Sequence, residues 1–219
     1  MQNDPSSNGI VEVIRNNRQL YTGNLAKYFQ ALLKARNINH PYHNLRHMLH
    51  VTWQCHQASI FYGHLISLHN VRNLLIAAMF HDFDHSGRSG NDDLNIELAI
   101  RGFKKHIQPE DIPSKDDIES LMRITEYPPM IDSSELTLRA QILRDADISQ
   151  ALSPVWIQQV IVGLAKEQDR TFLEMLKQQE PFLSNLKFHT EWAKTTFPPE
   201  VIQAKIQEAR DLIEILEKK

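Results

Sequence analysis

Apolar residues return along most of this chain at intervals of three and four, the spacing that lines one face of an α-helix. "NLAKYFQALLKAR" (24–36) is the first clear case. The same pattern predicts helices over 43–62, 71–82, 92–107, 114–125, 135–150, 154–168, 169–179 and 182–196. A last helix follows Pro198-Pro199, where proline suits a first turn, and carries Ile202, Ile206, Ala209, Ile213 and Leu216 on one stripe. Ser114, with Asp117 three residues on, reads as an N-cap signature for the helix over 114–125, and Pro128-Pro129 ends it. Period-2 alternation and an Asn-Gly hairpin signal are both missing, as is any repeat of about 20–50 residues. The expectation is all-α: a single compact multi-helix domain over 23–219, in a chain of nine to eleven helices. Residues 1–22 are set apart as an N-terminal leader or helix, polar over 2–9.

Composition narrows the class without changing the fold. With 219 residues, 42% of them apolar and only 7 glycines, the chain can bury a sizeable helical core. A formal charge of −3 offers no broad basic field, so neither nucleic acid nor a membrane surface is an expected partner. The lone cysteine, Cys55, leaves no internal disulfide and agrees with a reducing, cytoplasmic home. No apolar run approaches the roughly 20 residues that a bilayer span needs. The N-terminus shows no basic-then-apolar signal pattern. Nothing in the sequence sets the oligomeric state.

Three short stretches carry chemistry. "PYHNLRHMLHV" (41–51) holds His43, His47 and His50, with His40 just upstream. At about 100° per residue, Leu45, Met48, Leu49, Thr52, Trp53 and His56 share one helix face, and His43, His47, His50 and Gln54 gather opposite. A solvated face normally takes Lys and Glu. Three imidazoles at i, i+4 and i+7 point instead to a shared pocket, with His43 and His47 one turn apart. "LLIAAMFHDFDHSG" (74–87) is apolar all round for seven residues, the mark of a buried helix, and runs straight into His81-Asp82 and Asp84-His85. A buried carboxylate needs a counter-charge, and only Arg88 is near in sequence. A helix end opening on water is the other way to seat that pair. In "ILRDADIS" (142–149), Asp147 follows the stripe of Ala140 and Leu143 while Asp145 points elsewhere. Periodicity does not decide which of the two faces inward, and pairing with Arg144 would keep Asp147 at the surface.

Together these residues spell H…HD…D: His47, His81-Asp82 and Asp147. The pattern resembles the HD-domain metal-dependent phosphohydrolase superfamily. "YHNLRHMLHV" is similar to the YHNxxHxxxV motif of class I cyclic-nucleotide phosphodiesterases, and "HDFDHSG" to their HDxxHxG. The resemblance runs from about residue 40 to 192. It implies the helical HD fold of that family, with His47, His81, Asp82 and Asp147 ligating a first divalent metal. Asp82 would bridge to a second metal held largely by water. Two imidazoles and two carboxylates suit Zn, Fe or Mn at the first position, and a water-rich second position suits Mg or Mn. Such a pair lowers the pKa of water between them and neutralises phosphoryl charge. The resemblance gives His43 the part of general acid to the leaving alkoxide, a duty that suits an imidazole's ordinary pKa of about 6.5. Glu97 and Glu126 are the carboxylates considered for its support. His85 would stand behind the metal site and bond its water. "QQEPFLSNLKFHTEW" (178–192) is similar to the family's Q-x-x-F element, which implies Gln179 on the edge of a nucleobase and Phe182 on its face. Ordinary helix packing accounts for Phe182 equally well.

The implied activity is hydrolysis of a phosphate ester, most of all a nucleotide phosphodiester such as a 3′,5′-cyclic nucleotide. The chain departs from that family in two respects. Asn91 stands six residues after His85, where the family pattern has its Asn at five. It is also shorter than the animal catalytic domains and lacks several helices of their substrate pocket. A nucleoside monophosphatase or dNTP hydrolase shares the H…HD…D site and stays open as an alternative. So does a non-catalytic regulator that binds a nucleotide or a metal. The HDxxEDT continuation of alarmone hydrolases and the GYP element of cyclic-dinucleotide hydrolases are both absent from this sequence.

Overall fold

Every residue from Val71 to Phe80 is buried, so the helix they form must be enclosed on all sides, and it is. The computed structural model describes residues 9–88, 90, 92–126 and 135–218. Among them are α1 (Ile10–Arg15), α2 (Ala26–Leu32), α3 (Leu45–Tyr62), α4 (Leu68–Phe80), α5 (Asp92–His106) and α6 (Lys115–Arg123). The second half adds α7 (Leu138–Ile148), α8 (Val162–Glu167), α9 (Phe172–Ser184), α10 (Glu191–Thr196) and α11 (Pro199–Glu217). No strand occurs among the described residues, and the fold is all-α and compact. The polar leader over 2–8, Asn91 and Pro128-Pro129 lie outside the described residues.

α4 is wrapped by α3, α6 and α2, and α7 packs against both α3 and α4. Val13, Tyr21, Leu25 and Tyr28 join the same large core, so the stretch around α1 is packed onto it. A second cluster gathers Trp156, Ile161, Met175, Leu176 and Ala209, where α8, α9 and α11 meet. Burying a Leu, Ile, Met or Phe side chain stabilises by about 1.5–3 kcal/mol. The unbroken apolar run of α4 therefore decides which helix is central.

The observed elements differ from the expected ones at instructive points. α3 starts at Leu45, two residues later than expected, which leaves His43 before the helix, while His47, Met48, Val51 and Cys55 are buried on it. The helix expected over 154–168 starts as a π-helical turn, Ile157–Ile161, before α8. The break expected near Pro181 is absent, and α9 runs through it to Ser184, since a proline late in a helix removes only one N–H. The chain turns instead over 185–190, where the buried Asp145 accepts from His189 N (3.0 Å), Thr190 N (2.8 Å) and Thr190 Oγ1 (2.7 Å). Ser114 occupies the N-cap position of α6 but makes no cap bond; its hydroxyl meets His69 Nε2 at 2.8 Å, and Asp117 pairs with Arg139. Leu216, at the end of the α11 stripe, is 46% exposed. No single helix among the described residues is long and apolar enough to cross a membrane.

One buried ion pair fastens α4 to the chain around it. Arg72 reaches Asp111 through Nε (2.6 Å) and Nη2 (2.8 Å), and its Nη1 donates to the carbonyls of Thr22 and Asn24. Tyr28 Oη adds a bond to Asp111 Oδ2 at 2.6 Å. Removing one partner of such a pair leaves an uncompensated buried charge. Asp111→Ala is expected to cost about 3–5 kcal/mol in urea unfolding at constant slope. A loss below about 1 kcal/mol would mean that Arg72 reaches water and that the pair is not a fastening.

Candidate metal centre

Asn44 starts the site. Its Oδ1 caps α3 by accepting from Arg46 N (2.9 Å) and His47 N (3.1 Å), and its Nδ2 turns back to His40 O (2.8 Å). The π-helical turn supports the same loop: Gln159 Nε2 donates to Tyr42 O at 2.9 Å and to Asn44 Oδ1 at 3.2 Å. Gly163 allows that approach, because a Cβ there would lie 2.7 Å from Pro41 O. So α8 lies directly on the turn that carries His43 and launches His47.

Two imidazoles then meet in the interior. His47 Nδ1 lies 2.7 Å from Gln150 Oε1, and His81 Nδ1 lies 2.8 Å from Ala78 O. Both partners are acceptors, so each Nδ1 carries a proton and each ring turns its Nε2 the other way. These two Nε2 atoms face each other at 3.2 Å. Asp82 Oδ2 stands 3.2 Å from His47 Nε2 and 3.4 Å from His81 Nε2, without a hydrogen bond. Asp147 Oδ1 stands 3.0 Å and 3.6 Å from the same two atoms. The ligand atoms of His47, His81 and Asp82 all lie within 4.8 Å of one another, and the group could hold a metal ion.

The donor set fits a divalent cation. Atoms bound about 2.0–2.2 Å from one ion are spaced roughly 3.0–3.5 Å apart, and the distances given above cluster around that range. Asp82 and Asp147 keep 14% and 25% of their side chains exposed, so the cluster opens to solvent on the carboxylate side. The electrostatics agree. Burial works against charge on His47, but Asp147 and Asp82 beside it prevail and push it up to about 9. His81 is raised well above its ordinary value by the same carboxylates, against its burial. Burial also opposes ionisation of Asp82 and Asp147, yet the facing imidazoles hold both below the usual carboxylate range.

His43 belongs to a second constellation at the rim. Its Nδ1 meets Glu167 Oε2 at 2.5 Å, and Glu167 Oε1 accepts the backbone N–H groups of Tyr42 (2.8 Å) and His43 (2.9 Å). Burial opposes the charge of Glu167, and these three bonds still keep its carboxyl below the ordinary value. Glu97 and Glu126 do not support His43: Glu97 pairs with Arg123 at 2.6 Å, and Glu126 bonds Asp93. His85 lies flat against His43, ring centres 3.7 Å apart and planes 20° from parallel. Its Nδ1 accepts Gly87 N at 2.9 Å, which leaves the proton on Nε2, and burial lowers its pKa to about 4. His50 is no ligand. It reaches Ser149 Oγ at 3.0 Å, bracing the end of α7 below Asp147, and burial lowers it to about 4.

Of the two carboxylates on α7, Asp147 faces the imidazoles and Asp145 holds the loop before α10. Gln179 is buried on α9, with its Nε2 on Met175 O at 3.2 Å and its Oε1 buried without a partner. Phe182, one turn on, is 36% exposed. Glu167, Gln150 and Gln159 escaped the sequence reading. Gln150 stands three residues after Asp147, a helical spacing that could have flagged it; Glu167 is 124 residues from His43 and left no signal. Compared with protein families and with curated proteins, the chain matches no family model and no curated relative.

Metal binding to this cluster has to displace protons, because the carboxylates hold His47 and His81 protonated near neutrality. Zn²⁺ titrated by calorimetry at pH 7 in buffers of different ionisation enthalpy is expected to release protons. Its affinity should fall steadily as pH drops below about 9, the value to which His47 is raised. Gln150→Leu, which removes the acceptor behind His47, should weaken Zn²⁺ about 10–100-fold. Proton-neutral or pH-independent binding would show that the ion sits elsewhere.

Proposed function

We propose that this chain is a metal-dependent phosphohydrolase of the HD-domain kind that cleaves a nucleotide phosphodiester, in the manner of a cyclic-nucleotide phosphodiesterase. The observation that carries the reading is a pairing. The ligand atoms of His47, His81 and Asp82 lie within 4.8 Å of one another, Asp147 stands 3.0 Å from His47, and an independently supported histidine stands at the rim of the same site.

His47, His81, Asp82 and Asp147 would hold a first cation (Zn, Fe or Mn), and Asp82 would share a second (Mg or Mn). Bound there, divalent cations supply Lewis acidity: they acidify water and draw charge from phosphoryl oxygens. The rest falls to the chain's own groups. Glu167 fixes the His43 ring through Nδ1, leaving Nε2 as the atom that carries a proton to a departing alkoxide. The neutral His85 beneath it adds no like charge when His43 is protonated. Asp147 and Asp82 border the solvent-open side, which is where an ester would enter. On α9, Gln179 and Phe182 are the residues this reading assigns to the base. An amide offers both donor and acceptor to a purine edge, and an exposed ring offers a stacking face.

Screening the Mn²⁺-loaded protein against cyclic mononucleotides, cyclic dinucleotides and nucleoside monophosphates tests the substrate class. His43→Asn is expected to lower turnover of a cyclic nucleotide about 10²–10⁴-fold and of a p-nitrophenyl ester far less, because that leaving group needs little protonation. Glu167→Gln should reproduce the pattern in milder form. Equal losses on both esters would remove the proton-donor role.

The base contact has its own test. Phe182→Ala is expected to weaken nucleotide binding by about 1–3 kcal/mol and to leave hydrolysis of a small base-free diester unchanged. Gln179→Ala should raise KM for a purine nucleotide more than it lowers kcat. Uniform loss on every substrate, with a lower melting temperature, would make both residues packing groups.

A further inference from the structure

Asn37 is 0% exposed, an uncommon place for an amide, and it uses both amide hydrogens and its carbonyl oxygen to join two loops. Its Nδ2 donates to His43 O (2.8 Å) and to Asp82 O (2.7 Å), while its Oδ1 accepts Asp84 N (2.9 Å). We propose that Asn37 is a positioning residue that sets the His43 loop in register with the Asp82–His85 loop. This inference rests on the phosphohydrolase reading above.

The argument starts from what each loop needs. Asp84 adopts φ 61°, a left-handed conformation that L side chains seldom take. It is held there from both ends: Asn37 takes its N–H, and its own Oδ1 accepts Arg36 N at 2.7 Å. That reversal brings the chain back, so that His85 lies 3.7 Å over the His43 ring. Meanwhile the carbonyls of His43 and Asp82 share the two hydrogens of one planar amide, which fixes their separation. Gln159, Asn44 and Glu167 also steady the His43 loop, but their bonds stay within that loop, the π-helical turn and α8. Asn37 reaches across to the loop of the HD pair. Only a donor–donor–acceptor side chain of this length serves the three groups. Aspartate has the shape and lacks both donors.

Two variants and one control test this. Asn37→Asp and Asn37→Ala are expected to weaken Zn²⁺ about 10–100-fold in calorimetry, the usual size for groups that orient metal ligands. Met122→Ala, a buried truncation on α6 where no site residue lies, serves as a control for lost stability. It is expected to lower the melting temperature and keep its Zn²⁺ affinity. A second readout needs no metal: imidazole ¹H–¹⁵N spectra should show the His43 and His85 resonances shifted in both Asn37 variants and unmoved in Met122→Ala. Zn²⁺ affinity and imidazole resonances that stay at wild-type values in Asn37→Asp would overturn the inference, as would changes that follow melting temperature alike in all three variants. A wild-type chain that binds no Zn²⁺ would sink the phosphohydrolase reading, and the imidazole spectra would still decide Asn37.

Discussion

Two imidazole nitrogens held 3.2 Å apart are the constraint on which this structure depends. The arrangement is unfavourable for a neutral, empty pair, and two adjacent carboxylates add charge that the interior resists. Protons or a cation must settle it. The fold does not relieve the conflict by rotating either ring, because Gln150 and the Ala78 carbonyl fasten the Nδ1 side of each. Such fastening from behind is what a ligand set requires and what a merely packed histidine does not.

The helices serve that constraint by their order of burial. α4 is apolar on all sides and delivers His81 and Asp82 from its C-terminal end, so the pair emerges from the densest part of the core. α3 crosses it with His47 inward, and α7 closes from the far side with Asp147. His43 is held by different means. Its supports are Glu167 and Gln159, from the region of the π-helical turn and α8, which belongs to another apolar cluster. The His/Asp cluster and His43 are thus anchored in separate parts of the core and meet only at their edges.

Much of this was legible in the sequence, for physical reasons that can be named. Seven apolar residues in a row marked α4 as buried, and a carboxylate directly after them called for either a counter-charge or a helix end open to water. The imidazoles of α3 were read as sharing a pocket, and His47 is buried, but what covers it comes from neighbours that no local window contains. Asp145 and Asp147 were left undivided because α7 is buried along much of its length, and its periodicity separates them poorly. Pro181 suggested a break that the chain makes later, where Asp145 reaches back across 44 residues. Glu167 was invisible for the same reason. Contacts set by tertiary packing between distant helices leave no spacing to read, however strong they are.

The separate anchoring of the two halves bears on how they can work together. A proton donor on the same helix as a ligand would move with it, and its distance from the reacting atoms would be fixed by helix geometry alone. Here His43 precedes α3, outside its regular turns, and its ring direction is set by Glu167 across the fold. Its pose can therefore be tuned without disturbing His47 four residues on. The same freedom would let it drift by fractions of an ångström, and the general-acid role proposed for it would tolerate little of that. Stacking on His85 limits the tilt of the ring, and the Glu167 bond limits its rotation. What remains is translation of the whole loop against the HD pair, and a buried amide spanning both loops opposes that motion directly.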